Sequence, residues 1–181
     1  MNVHLLRHPP VAVEGVCYGQ TNVPLVANWQ LPDSTALAGQ QGIILSSPLS
    51  RCRLLAEKMA AQLNWPVEHH PWLVEMNFGA WENRPWQDIP REEVNQWVDD
   101  ILGFQPPGGE SVLDMNTRVM DGFNTWREHA SDLGNLLIVS HSGVLRCLMC
   151  FLEGVPLAEI RKLHIDFCEL RSYAGAGLNP Q

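Results

Sequence analysis

The chain is predicted to fold as an α/β protein, a three-layer α/β/α sandwich around a mostly parallel sheet. Three observations predict it. First, the short apolar runs Val3 to Leu6, Ile43 to Leu45 and Leu136 to Val139 have the length and continuity of buried strands. Second, the latter two lead directly into helix-start residues and an apolar helix. Third, strands alternate with helices along the chain, a pattern that places helices on both faces of a sheet.

Each element can be justified in order. After Ile43 to Leu45, Ser46-Ser47-Pro48 signals a helix start, and a helix follows from about Leu49 to Leu63. Leu55, Met59 and Leu63 recur at four-residue spacing, with Leu54 beside them. An irregular stretch, Trp72 to Gly109, holds one helix of about Arg91 to Leu102, with Val94, Trp97, Val98 and Ile101 inward. Ser111 and Asp114 have capping-box spacing and open a helix carrying Val112, Met115, Val119, Phe123 and Trp126 on one stripe. Leu136 to Val139 is followed by Ser140-His141-Ser142-Gly143, then a helix from about Val144 to Leu152 that Gly154 stops. With no internal repeat and no low-complexity linker, the chain is expected to form one domain over residues 1–181, with a lid-like insert at about 72–109.

Composition narrows the partners. The chain has 181 residues, 45% of them hydrophobic, and a net charge of −8. With no Lys/Arg run, neither nucleic acid nor an anionic membrane is expected as a partner. The N-terminus runs straight into Val3-His4-Leu5-Leu6 with no basic start, and no apolar stretch approaches a bilayer span. The five cysteines follow no disulfide or zinc spacing, so free thiols in the cytoplasm are expected. Cys147 and Cys150 read as two buried helix thiols, because a redox C-x-x-C sits at an exposed helix start.

The chemistry gathers at strand ends. The first strand ends in Arg7-His8, the second leads to Arg51 in the first turn of a helix, and the third ends in Ser140-His141-Ser142-Gly143. In open α/β sheets, ligands bind beyond the carboxyl ends of the strands. Helix N-termini there offer free N–H groups, and arginines match phosphate oxygens with paired donors. Two arginines, two histidines and two helix starts in one place suit a phosphomonoester dianion. His4, His164 and the His69-His70 pair belong to no such motif and read as core-edge or solvated residues.

Five segments in order carry a family resemblance. They are Leu5-Leu6-Arg7-His8, Ser46 to Arg51, Glu75 to Glu82, Pro106 to Ser111 and Val139 to Gly143. The sequence resembles the histidine phosphatase superfamily, the phosphoglycerate-mutase-like clan. The run Gly19-Gln20-Thr21-Asn22-Val23-Pro24-Leu25 is similar to the α-ribazole phosphatase branch. The resemblance implies that His8 is the nucleophile, Arg7 and Arg51 bind phosphate, His141 contacts the transferring phosphoryl group, and Glu75 donates the proton. Glu82 is a rival acid seven residues on. The implied reaction is hydrolysis of a small phosphorylated metabolite through a phosphohistidine, without metal or other cofactor.

The sequence departs from the family where glycine, an acidic residue and a small hydroxyl residue usually follow the nucleophile. Here Pro9, Pro10 and Val11 stand instead, and Pro9 has no N–H for a phosphate oxygen. Either phosphate has fewer donors, or the loop is built differently. The family's frequent asparagine ligand has no clear counterpart. Three other readings are a broad sugar-phosphate phosphatase or mutase-like enzyme, a phosphate binder without turnover, and a serine hydrolase. Ser142 lacks the flanking glycines that the last of these needs.

Overall fold

The structure is a computed structural model and describes residues 1–130 and 134–175. Its centre is a five-stranded sheet of β1 (Asn2–Arg7), β2 (Gly42–Ser46), β3 (Val67–His69), β4 (Asn135–Ser140) and β5 (Leu170–Tyr173), in the order β3-β2-β4-β1-β5. β1, β2, β3 and β4 pair in parallel, and β5 runs antiparallel to β1 at one edge. Among the described residues the α-helices are α1 (Ser50–Leu63), α2 (Arg91–Asp99), α3 (Val112–Glu128) and α4 (Ser142–Glu153).

The alternation of side chains along each strand divides the core between two faces. Val3, Leu5, Leu136 and Ile138 join the apolar sides of α3 and α4. Leu6, Ile44, Leu137 and Val139 meet Cys52, Leu55, Ala56 and Met59 of α1 on the other face. The predicted sandwich is therefore formed, with α1 on one face and α3 and α4 on the other. The capping box of α3 is complete: Ser111 Oγ accepts from Asp114 N at 3.1 Å, and Asp114 Oδ2 accepts from Ser111 N at 3.0 Å. α1 ends at Asn64, whose left-handed φ of 56° asparagine tolerates better than most side chains.

α1 runs from Ser50 with Leu49 as its N-cap, as expected, although Leu54 is 40% exposed. One helix expectation needs correction. α2 stops at Asp99 instead of Leu102, and Val98 is 45% exposed instead of inward. The insert covers only one side of α2. Val94 and Trp97 pack against the cluster of Cys17, Trp81 and Ile89, whereas Val98 and Ile101 border an open cleft. The aromatic residues of the insert mostly pack one another, with the Trp86 and Trp97 rings stacked at 5.9 Å and Trp81 fully buried. Trp72 lies elsewhere, in a groove beside α3.

Cys147 and Cys150 are buried free thiols within α4, as expected, and burial pushes Cys147 up to about 12. Among the described residues no helix is long and apolar enough to cross a membrane.

Candidate active site

β4 lies between β2 and β1, so the carboxyl ends of these three strands are contiguous. Arg7 closes β1 opposite Ser140, the last residue of β4. His8 follows, its backbone N–H bonded to Ser140 O at 3.0 Å. Arg51 stands in the first turn of α1, and His141 is the N-cap of α4. The sheet order thus brings together residues separated by up to 134 positions.

His8 is 3% exposed. Its Nδ1 lies 2.7 Å from Pro9 O, and a carbonyl can only accept, so Nδ1 carries the proton and Nε2 the lone pair. Burial, then the nearby Arg51 and Arg7 cations, hold its pKa down at about 3. The ring is therefore neutral at ordinary pH. Pro9 contributes its carbonyl to the bond with His8 Nδ1. Pro10 O accepts from Val26 N at 3.0 Å, and Ala12 N donates to Pro24 O at 2.8 Å.

His141 is fully buried, its ring 5.2 Å from that of His8. Arg51 Nε donates to its Nδ1 at 3.1 Å, which leaves the proton on Nε2, 2.8 Å from Ser47 Oγ. Burial, followed by Arg51 and His8, lowers its pKa well below the usual imidazole value.

The two arginines differ. Arg51 is fully buried; Nη1 donates to Thr21 O at 2.8 Å and Nη2 to Gly19 O. One N–H on each of those nitrogens remains for a ligand. Arg7 lies 3.8 Å above the ring of Phe167, and its Nη1 donates to Ile165 O at 2.9 Å. Its buried Nε finds no partner among the described residues. Buried donors are nearly always paired, so an anion beside His8 is a natural acceptor. Phe167 also lies 5.4 Å from His8. It stands in a segment without motif, and no signal in the sequence pointed to it.

The two glutamates separate cleanly. Glu82 accepts from the backbone N–H groups of Gly19, Gln20, Thr21 and Phe78 and from Thr21 Oγ1 at 2.6 Å. Burial alone would raise its pKa, but these bonds outweigh it and hold the carboxyl below its usual range. Glu82 thus clamps the loop whose carbonyls hold Arg51. Glu75 accepts from Met76 N at 3.0 Å and from Gly143 N at 3.1 Å, in the first turn of α4. A Cβ at position 143 would come within 2.4 Å of Glu75 Oε1, so the carboxylate fits because residue 143 is glycine. Arg7 and Arg51 both feel the charge of Glu75.

The remaining histidines stay apart. His4 bonds Ser172 and Asn135 within the sheet, His70 pairs with Glu68, and exposed His164 pairs with Asp166.

Comparisons with known proteins identify relatives of the whole chain. An adenosylcobalamin/alpha-ribazole phosphatase of Escherichia coli is 30% identical over 175 residues, 92% of this chain and 86% of that one. A probable phosphoglycerate mutase of Shigella boydii is 30% identical over 179 residues, 94% of this chain and 83% of that one. The alpha-ribazole phosphatase structure from Shigella flexneri matches with a TM-score of 0.83 at 28% identity, over 95% of this chain and 89% of that one. A mycobacterial glucosyl-3-phosphoglycerate phosphatase matches in fold, with a TM-score of 0.78 at 20% identity, over 94% of this chain and 88% of that one. The sequence profile of the histidine phosphatase superfamily (branch 1) matches residues 3–177, and the chain belongs to that family.

Proposed function

We propose that the protein is a phosphomonoesterase that works through a phosphohistidine on His8. The observation that carries this reading is the state of His8: a neutral ring under the field of Arg51 and Arg7, its Nδ1–H committed to Pro9 O and its Nε2 lone pair left free to attack. Nε2 attacks phosphorus while the ester P–O bond breaks. The leaving oxygen takes a proton from the Glu75 carboxyl. Water then attacks phosphorus, Glu75 takes back a proton, the P–N bond breaks and phosphate leaves. Arg7 and Arg51 neutralise and hold the phosphoryl oxygens, while His141 stays neutral and can offer only its one Nε2 proton, which it shares with Ser47 in the free protein.

No metal is called for in this scheme, and phosphate release is expected to continue in excess chelator. The substrate is a small phosphorylated metabolite met in the cytoplasm. We favour α-ribazole phosphate, in cobalamin synthesis, because relatives bearing that activity's name match both in sequence and in structure. A mutase-like activity on phosphoglycerate is the second reading, supported by relatives of equal identity with that name. Phosphate release from α-ribazole phosphate, measured beside isomerisation and hydrolysis of phosphoglycerate, separates them. Preferential α-ribazole phosphate hydrolysis is expected, and preferential isomerisation of phosphoglycerate contradicts it.

A further inference from the structure

Phe167 stands beside Arg7 and His8, yet no step of the proposed reaction uses it. The ring is 36% exposed, but the chain beneath it is firmly held. Phe167 and Cys168 form a turn closed by Glu169 N, which donates to Asp166 O at 3.1 Å. Asp166 N in turn donates to the Glu169 carboxylate at 2.6 Å. Cys168 holds a left-handed φ of 57°, which side chains other than asparagine and aspartate seldom adopt. The turn is fastened to the end of β1. Cys168 N donates to Arg7 O at 3.1 Å, and Arg7 N donates to Glu169 O at 3.4 Å. The side chain of Arg7 is held by the same segment. Its guanidinium lies 3.8 Å above the Phe167 ring, and its Nη1 donates to Ile165 O at 2.9 Å.

We infer that Phe167 is a positioning residue, whose ring holds the Arg7 guanidinium with its Nε–Nη2 edge free for the phosphoryl group. It acts on phosphate through Arg7, and the inference rests on the reading of Arg7 as a phosphate ligand. The free edge follows from what is already occupied. Phe167 covers one face and Ile165 O takes Nη1, whereas Nε and Nη2 make no hydrogen bond among the described residues. These two nitrogens share one edge of the guanidinium, and their parallel N–H bonds match two oxygens of one phosphoryl group. A long arginine side chain left to itself samples many orientations. A ring against its face and a carbonyl on Nη1 restrict both its tilt and its rotation before phosphate arrives. The ring also attracts the cation through its negative face, which an aliphatic side chain cannot do. Its distance of 5.4 Å from the His8 ring puts this support where the arginine and the nucleophile adjoin.

The test is a double-mutant cycle read by calorimetric titration with inorganic phosphate. Phe167→Leu keeps an apolar cover but removes the aromatic face, and should weaken phosphate binding about tenfold. Phe167→Tyr keeps the face and should restore affinity to within about twofold of wild type. Arg7→Lys keeps the charge but has neither plane nor fork. In that background Phe167→Leu should change affinity by less than about twofold, because the group it positions is gone. A side chain that only supports the fold would weaken binding equally in both backgrounds. Melting temperatures accompany each titration, and Phe167→Met takes the place of Phe167→Leu should the latter not fold. Unchanged phosphate affinity in Phe167→Leu overturns the inference, as does an equal loss in the Arg7→Lys background. Because binding is read without turnover, this coupling in a protein that hydrolyses no phosphate ester would keep the role of Phe167 and remove the phosphatase reading. Turnover through phosphohistidine without the coupling would do the reverse.

Discussion

Arg51 Nε donates a hydrogen bond to His141 Nδ1 at 3.1 Å. A guanidinium can only donate, so this bond selects one tautomer of the buried imidazole and points its remaining proton at Ser47. Nitrogen NMR should find His141 protonated on Nε2 alone. In Arg51→Lys both tautomers should appear, and phosphorylation should slow by about a hundred- to a thousandfold, the usual effect of losing one preorganised donor. A wild-type His141 protonated on Nδ1 contradicts this geometry.

Glu75 and Glu82 should separate by leaving group. Glu75→Gln should slow phosphohistidine formation far more for an alkyl phosphate than for p-nitrophenyl phosphate, whose leaving group needs no proton. Single-turnover rates are required, because Glu75 also serves the later water attack. Glu82→Gln removes acceptors for the Gly19–Thr21 loop. It should weaken phosphate binding and lower the melting temperature without any leaving-group dependence. The reverse pattern would make Glu82 the acid.

Gly143→Ala tests how closely Glu75 must sit. The added methyl carbon would come within 2.4 Å of Glu75 Oε1 and 3.2 Å of Met115 Cε. Displacement of the carboxyl should cost on the order of a hundredfold in alkyl phosphate turnover. The melting temperature should change little, since alanine favours the helix more than glycine does. Unchanged turnover would show that Glu75 tolerates displacement.

The pH dependence follows from the buried histidines. His8, His141 and His4 all have lowered pKa values, with burial as the first cause in each. The unfolded chain binds protons on them as pH falls through 6.5, whereas folded His8 resists until about 3. Stability is thus unaffected by these groups above 6.5 and declines as pH falls below it, for His8 down to about 3. Melting temperatures should drop across that window, and the His8 ring signals should not titrate between about pH 8 and pH 5. A His8 titration near 6.5 contradicts the buried, neutral nucleophile.

The strand ends were legible in the sequence because each joins a continuous apolar run to helix-start residues or a charged pair. Arg7, His8, Arg51 and His141 could therefore be placed on one edge before any coordinates. β3 and β5 escaped notice, since Val67–His69 is short and Leu170–Tyr173 is half polar. The exposure of Val98 and Leu54 was also hidden, because an apolar helical stripe does not say how wide a face its neighbours cover. Long-range pairing explains the other omissions. The loop that holds Arg51 and the Glu82 carboxylate that holds the loop lie 30 to 63 residues from their partners, with no local spacing to reveal them.

The most direct test of the central claim is to trap the intermediate. The protein is mixed with a phosphate-labelled p-nitrophenyl ester, quenched in base and digested. The account predicts acid-labile, base-stable label on the peptide bearing His8, and neither label nor turnover in His8→Ala. Label on another residue, or turnover that persists in His8→Ala, would contradict it.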